Sequence, residues 1–206
     1  MEIKESCHKI VQMLESAEIG SEGAFKVSEV LAKKLSEQFP SVSVTKDKSI
    51  QENLILAAMF RDIGKFNVGE AIFNSKDIFK PDDTRWEVIK EHPRKSIEIL
   101  KRHDNLLSQE VFEIIKYHHP WYFDESNGAC SLDKVSNSVG NSLHIVSIID
   151  AYIGLRAKRA RRRQYNHVEA MTEIQKDMAN GKFLGTLVLY LDLPLEEAYE
   201  GFFKVN

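Results

Sequence analysis

Cysteine is nearly absent from this chain of 206 residues: Cys7 and Cys130 are the whole complement. Two cysteines make neither a disulfide framework nor a thiolate zinc cluster, which accords with a reducing compartment. No apolar run approaches the ~20 residues a membrane-spanning helix needs, and Met1-Glu-Ile-Lys-Glu5 carries no signal-peptide pattern. An excess of one charge is missing too. The net charge of −3 removes any global electrostatic argument for nucleic acid or an anionic membrane. Apolar and polar residues nowhere alternate long enough to demand a sheet, and no repeat, low-complexity segment or linker interrupts the chain. What remains is a chain whose 43% hydrophobic and 29% charged residues are those of an ordinary soluble globular protein. It is expected to be cytoplasmic and to form one all-α domain across residues 1–206.

The chain is organised around Leu54-Ile-Leu-Ala-Ala-Met-Phe-Arg-Asp-Ile-Gly-Lys-Phe66. Seven consecutive apolar residues, Leu54 to Phe60, predict a helix buried on every side. Arg61 and Asp62 follow at its inner end, where charges must be paired, hydrogen-bonded or metal-bound. Gly64 lets the chain turn, and Lys65 adds a third charge. A simple Arg–Asp ion pair at a helix end would also satisfy this stretch.

Around it, apolar periodicity predicts helices over Ile3 to Leu14, over a stripe of Val27, Val30, Leu31 and Leu35, and from a Ser49 cap boxed by Glu52. Pro40 to Ser49 reads as a loop, and Asn67 to Lys80 as irregular. Pro81-Asp82-Asp83 opens a helix carrying Trp86, Val88 and Ile89, with a boundary or kink at His92–Pro93. Leu106 to Tyr117 runs into His118 and His119. Pro120 to Val139 is a long loop of the kind that is often functional. Leu143 to Leu155 is apolar nearly all round except at Asp150, then comes the basic run Lys158 to Arg163. Val168 to Met178 and Leu184 to Phe203 close the chain, the latter interrupted at Asp192–Pro194.

Three places carry chemistry. Asp150 lies between Val146 and Ile153 on one helical face and needs a cation, which Arg61, Lys65, Arg156 or a metal could supply. Phe112 and Ile115 point His119 inward; a lone inward histidine is usually a hydrogen-bonded core residue, and two adjacent ones opening a loop add weight to metal ligation. His92 stands at a helix boundary. Asp62, His92, His118, His119 and Asp150 together suit a divalent transition metal such as Fe, Mn, Zn or Ni.

The order Asp-Ile-Gly-Lys65, His92-Pro93, His118-His119 and Asp150-Ala-Tyr152 resembles the HD superfamily of metal-dependent phosphohydrolases. It is most similar to the HD-GYP branch, known for hydrolysing cyclic dinucleotides such as cyclic di-GMP. The likeness spans about Ala24 to Leu191 and includes Ile89-Lys-Glu-His-Pro93, Ile114-Ile-Lys-Tyr-His-His119 and Ile148-Ile-Asp-Ala-Tyr152. The resemblance implies metal ligation by Asp62, His92, His118, His119 and Asp150. It casts Asp62 and Lys65 as catalytic, and Arg159, Arg162 and Arg61 as phosphate-binding.

The chain also departs from that pattern. Arg61 stands where the family has the histidine that names it, and no histidine lies near Gly23, where an earlier one is expected. The Gly-Tyr-Pro signature is absent from His118 to Gly128, Ile153 replaces a second Asp, and His144 replaces an Arg. By resemblance these losses fall on one of two metal positions, so at most one ion is expected, with reduced or lost hydrolysis. A silent receptor for a cyclic dinucleotide or other phosphodiester, or a scaffold for a protein partner, is the alternative. The basic run Lys158 to Arg163 reads as a solvated helix end or, by resemblance, a phosphate site at Arg159 and Arg162. A nucleic-acid patch has the least support, since aromatic interleaving is limited to Tyr165.

Overall fold

In the computed structural model the apolar run Leu54–Phe60 lies inside a helix: Leu54 and Ala57 to Phe60 are buried, and Ile55 and Leu56 pack partly buried beside them. The structure describes residues 24–38, 48–67, 84–103, 107–119, 137–157, 163–180 and 185–205. These residues are all-α: α1 Ala24–Gln38, α2 Lys48–Phe60, a 3-10 turn Ile63–Asn67, α3 Thr84–Lys90, α4 His92–His103, α5 Gln109–Tyr117, α6 Asn137–Arg156, α7 His167–Ala179 and α8 Gly185–Val205. None of these helices is long and apolar enough to cross a membrane. The expected Ile3 to Leu14 helix, the segments 39–47, 68–83 and 120–136, and Lys158 to Arg162 fall outside the described residues.

The core joins α2 to α1, α5, α6, α7 and α8 through Leu31, Leu35, Phe60, Ile115, Ile148, Tyr152, Ile174 and Leu195. Asn53 meets Ser108 near the starts of α2 and α5, and Asp62 meets His118 beyond their ends, so the two helices run parallel. Their carbonyl ends therefore point the same way, and the partial negative charge there favours a cation.

Several local expectations give way. Val30 is 38% exposed and off the buried stripe of Val27, Leu31 and Leu35, because it sits one residue round the helix from that stripe. Ser49 lies inside α2, which already begins at Lys48, so it is not the cap. Asn137 to Val139 belong to α6 rather than to the preceding loop, since Val139 is buried in the core. The interruption at Asp192–Pro194 does not occur: α8 continues through Pro194. An internal proline costs ~3 kcal/mol, which burial of Leu191, Leu195, Ala198 and Tyr199 offsets. The boundary at His92–Pro93 is present as a turn at Glu91 between α3 and α4, with proline in the first turn of the new helix, where its missing N–H is tolerated.

Candidate metal centre

α2 ends at Phe60, and Arg61 N–H makes the next bond to the Ala57 carbonyl at 2.9 Å. The following turn brings Asp62 out of the helix, and the 3-10 segment then lies directly on α4. A Cβ at Gly64 would overlap the His92 carbonyl oxygen and the Ser96 amide. Close approach is thus what demands glycine here, not the freedom of a left-handed turn.

Two histidines are set by the same device. His92 Nδ1 donates to the Ile89 carbonyl at 2.7 Å, and His118 Nδ1 donates to the Ile115 carbonyl at 2.7 Å. A carbonyl can only accept, so each ring carries its proton on Nδ1 and turns the Nε2 lone pair into the site. The two Nε2 atoms are 3.4 Å apart, and Asp62 Oδ1 lies 3.2 Å from that of His92 and 3.9 Å from that of His118. His119 packs against both rings, with centroids 5.1 and 4.0 Å away. One ligand atom from each of Asp62, His92, His118 and His119 lies within 4.8 Å of all the others.

Lone pairs brought this close repel unless a cation sits among them. Asp62 Oδ1 is buried among them, with the Lys65 ammonium 2.5 Å away. Three imidazoles and a carboxylate form a donor set that fits a borderline divalent ion. Burial holds His118 down at about 4 and His119 well below its usual value. Both rings are therefore neutral at pH 7, the state a ligand requires.

Beside this group lies Arg61, 2% exposed. Its Nε donates to Asp150 Oδ1 at 2.9 Å, Nη1 donates to Ser28 Oγ at 2.8 Å and to the Ala58 carbonyl, and Nη2 is 3.6 Å from Asp62 Oδ2. Burial would raise the Asp62 carboxyl, but Lys65 and Arg61 outweigh it and hold it well below the usual carboxylate range. Burial and the Asp62 charge likewise push Asp150 up, and the Arg61 guanidinium, with Lys65 behind it, brings it below its ordinary value. Both carboxylates stay ionised because cations surround them.

The structure thus groups Asp62, His92, His118 and His119. Asp150 is adjacent, with Oδ2 3.6 Å from His119 Nδ1, but its other oxygen is taken by Arg61. Lys65 flanks Asp62. Arg156 serves Tyr152 and Glu200 instead of Asp150. Arg159 and Arg162 lie outside the described residues, and Arg163, at the end of the basic run, is gripped by Glu169. His144 is buried, its ring nitrogens without a hydrogen-bond partner among the described residues, and burial lowers its pKa.

Sequence reasoning missed three buried serines. Ser28 receives Arg61, Ser96 Oγ donates to the Arg61 carbonyl at 2.8 Å, and Ser147 Oγ donates to the His118 carbonyl at 2.7 Å. Their one signal was position: Ser96 stands a helical turn after His92, and Ser147 three residues before Asp150. A chain from Arg156 through Tyr152 and His167 to Asp192 was also not foreseen, because it links residues up to 40 apart whose types are common on helix surfaces.

A family model described as HD domain matches residues 28–187, which takes in Asp62, the three histidines and Asp150. No curated protein matches the chain.

Proposed function

Because the chain belongs to the HD-domain family, whose fold is that of metal-dependent phosphohydrolases, we propose that it is an HD-GYP-like domain with an altered metal site. It holds a single divalent ion and no second, on Asp62, His92, His118 and His119. The observation that carries this reading is Arg61: its guanidinium stands between Asp150 and Asp62 beside the four-ligand group. A fixed positive charge there neutralises the carboxylates much as a second cation would, and repels one.

A divalent ion on the four ligands would supply Lewis acidity toward a phosphoryl oxygen. The chain's own residues do the rest. Ile89 and Ile115 carbonyls fix two imidazole tautomers, Lys65 keeps Asp62 ionised, and Arg61 keeps Asp150 ionised and turned from solvent. With Nε and Nη1 donating to Asp150, Ser28 and Ala58, Arg61 acts as an internal cation and keeps its Nη2 hydrogens, beside Asp62, for a phosphate. Arg159 and Arg162 share the phosphate-binding role. A guanidinium cannot activate water as a metal ion does, so hydrolysis of a phosphodiester is reduced or lost.

The same observation favours a second reading, a silent receptor for a cyclic dinucleotide or a scaffold for a protein partner. Hydrolysis of cyclic di-GMP and of bis(p-nitrophenyl) phosphate by the manganese- or iron-loaded chain tests the choice. Turnover well below about 1 per second is expected, and turnover at ordinary enzyme rates of about 1 per second or more refutes the impaired reading. Saturable binding of cyclic di-GMP without turnover supports the receptor.

A further inference from the structure

Asp62 differs from the three histidines in where it stands. Each histidine begins or follows a regular helix, whereas Asp62 sits in a turn between α2 and the 3-10 segment, and a turn needs something to hold it. One hydroxyl does so. Ser96, completely buried on α4, donates its Oγ–H to the Arg61 carbonyl at 2.8 Å and accepts the Gly64 N–H at 2.8 Å. The two backbone groups it ties together flank Asp62 and Ile63, so both ends of the turn are fastened at a single atom.

The Arg61 carbonyl is one of those a helix leaves unpaired at its C-terminus, so Ser96 also closes α2. The clamp works because Gly64 lets the turn lie directly on α4, where any side chain would collide with the His92 carbonyl and the Ser96 amide. Ser96 is moreover four residues after His92, one turn along the same helix. α4 therefore presents a histidine and, one turn on, the hydroxyl that fastens the carboxylate facing it at 3.2 Å.

From this geometry we infer that Ser96 is a positioning residue for the metal centre: it sets the distance between Asp62 and His92, and with it the affinity of the site. This rests on the reading of Asp62, His92, His118 and His119 as metal ligands. Hydrogen bonds that orient a ligand typically change metal affinity by 10- to 100-fold when removed, and that is the range expected for Ser96→Ala.

The test is titration of the full, metal-free chain with manganese by calorimetry, and with cobalt by its visible spectrum, at a temperature where circular dichroism shows each variant folded. Ser36 supplies the control, since its buried hydroxyl donates within its own helix, to the Lys33 carbonyl at 2.7 Å. Ser96→Ala should bind manganese 10- to 100-fold more weakly and shift the cobalt bands, and Ser36→Ala should do neither. Should Ser96→Ala not fold, Ser96→Cys keeps the shape with weaker hydrogen bonds, and the same loss and shift are expected of it. A parent that binds metal while the Ser96 variant binds as tightly, with an unchanged cobalt spectrum, overturns the positioning role alone. A parent that binds no manganese or cobalt takes down the metal-centre reading and this inference together.

Discussion

Replacing Arg61 with alanine removes a guanidinium from between two carboxylates and exposes what it was holding. The lost bonds run to Asp150 Oδ1 and Ser28 Oγ, at 2.9 and 2.8 Å, and to the Ala58 carbonyl. Asp150 and Asp62 keep only 13% and 20% of their side-chain surface exposed, so water makes up little of the lost charge. Breaking a buried pair by removing one partner typically costs ~3–5 kcal/mol. For a chain of this size each kcal/mol moves the melting temperature by about 2–4 °C, so a fall of roughly 6–20 °C is expected at pH 7.

The sign of the pH dependence follows from the carboxyls. In the parent both are held below their ordinary range, so their stabilisation is full above the unfolded-state value and lost as acid titrates them. In the variant at least one carboxyl rises and takes up a proton. The gap between parent and variant is therefore widest at neutral pH and narrows towards about pH 4. Added manganese or ferrous ion, free to enter the vacated position, should restore part of the loss, about 2.7 kcal/mol at a hundred times its dissociation constant. Melting curves at pH 7 and pH 4, with and without metal, check each step. An Arg61→Ala chain that melts like the parent and gains nothing from metal refutes the reasoning.

Other outcomes are equally specific. His119→Ala should abolish tight metal binding, read by calorimetry, because the four-ligand group contains no spare histidine. Gly64→Ala should cost about 3 kcal/mol in chemical denaturation, the upper end for an overpacked site, since the two nearest atoms it strikes are backbone and cannot swing aside. The metal-free chain should lose stability between about pH 6.5 and pH 4: burial keeps His118 neutral in the folded state down to about 4, against 6.5 ordinarily, so the unfolded chain binds more protons in that window. Stability flat across it, measured by urea midpoints, would contradict the burial of that ring.

How much of this could be read from residues varied with the kind of force involved. The inner helix was legible because Leu54 to Phe60 has no polar side to show to water. Arg61 and Asp62 followed from it, since a charge at the end of such a helix must find partners. The inward turn of His119 came from its spacing to Ile115 and Phe112. What stayed hidden depends on a third dimension that spacing does not carry. Ser96 could be any helix serine until Gly64 is seen lying against it. Pro194 reads as a break, and only the burial of Leu191 and Leu195 around it explains why α8 runs on. The Tyr152–His167–Asp192 chain joins α6, α7 and α8, and nothing local marks its members as neighbours.

A centre with one metal ion beside one fixed guanidinium has a stoichiometry that elemental analysis reads. The purified chain would be stripped of metal, reloaded with excess manganese or ferrous ion, and freed of unbound ion before its metal content is measured per chain. One equivalent is expected in the parent, none in His119→Ala, and a second equivalent only when Arg61→His is combined with Gly23→His. Two equivalents in the parent, or none at all, would contradict it.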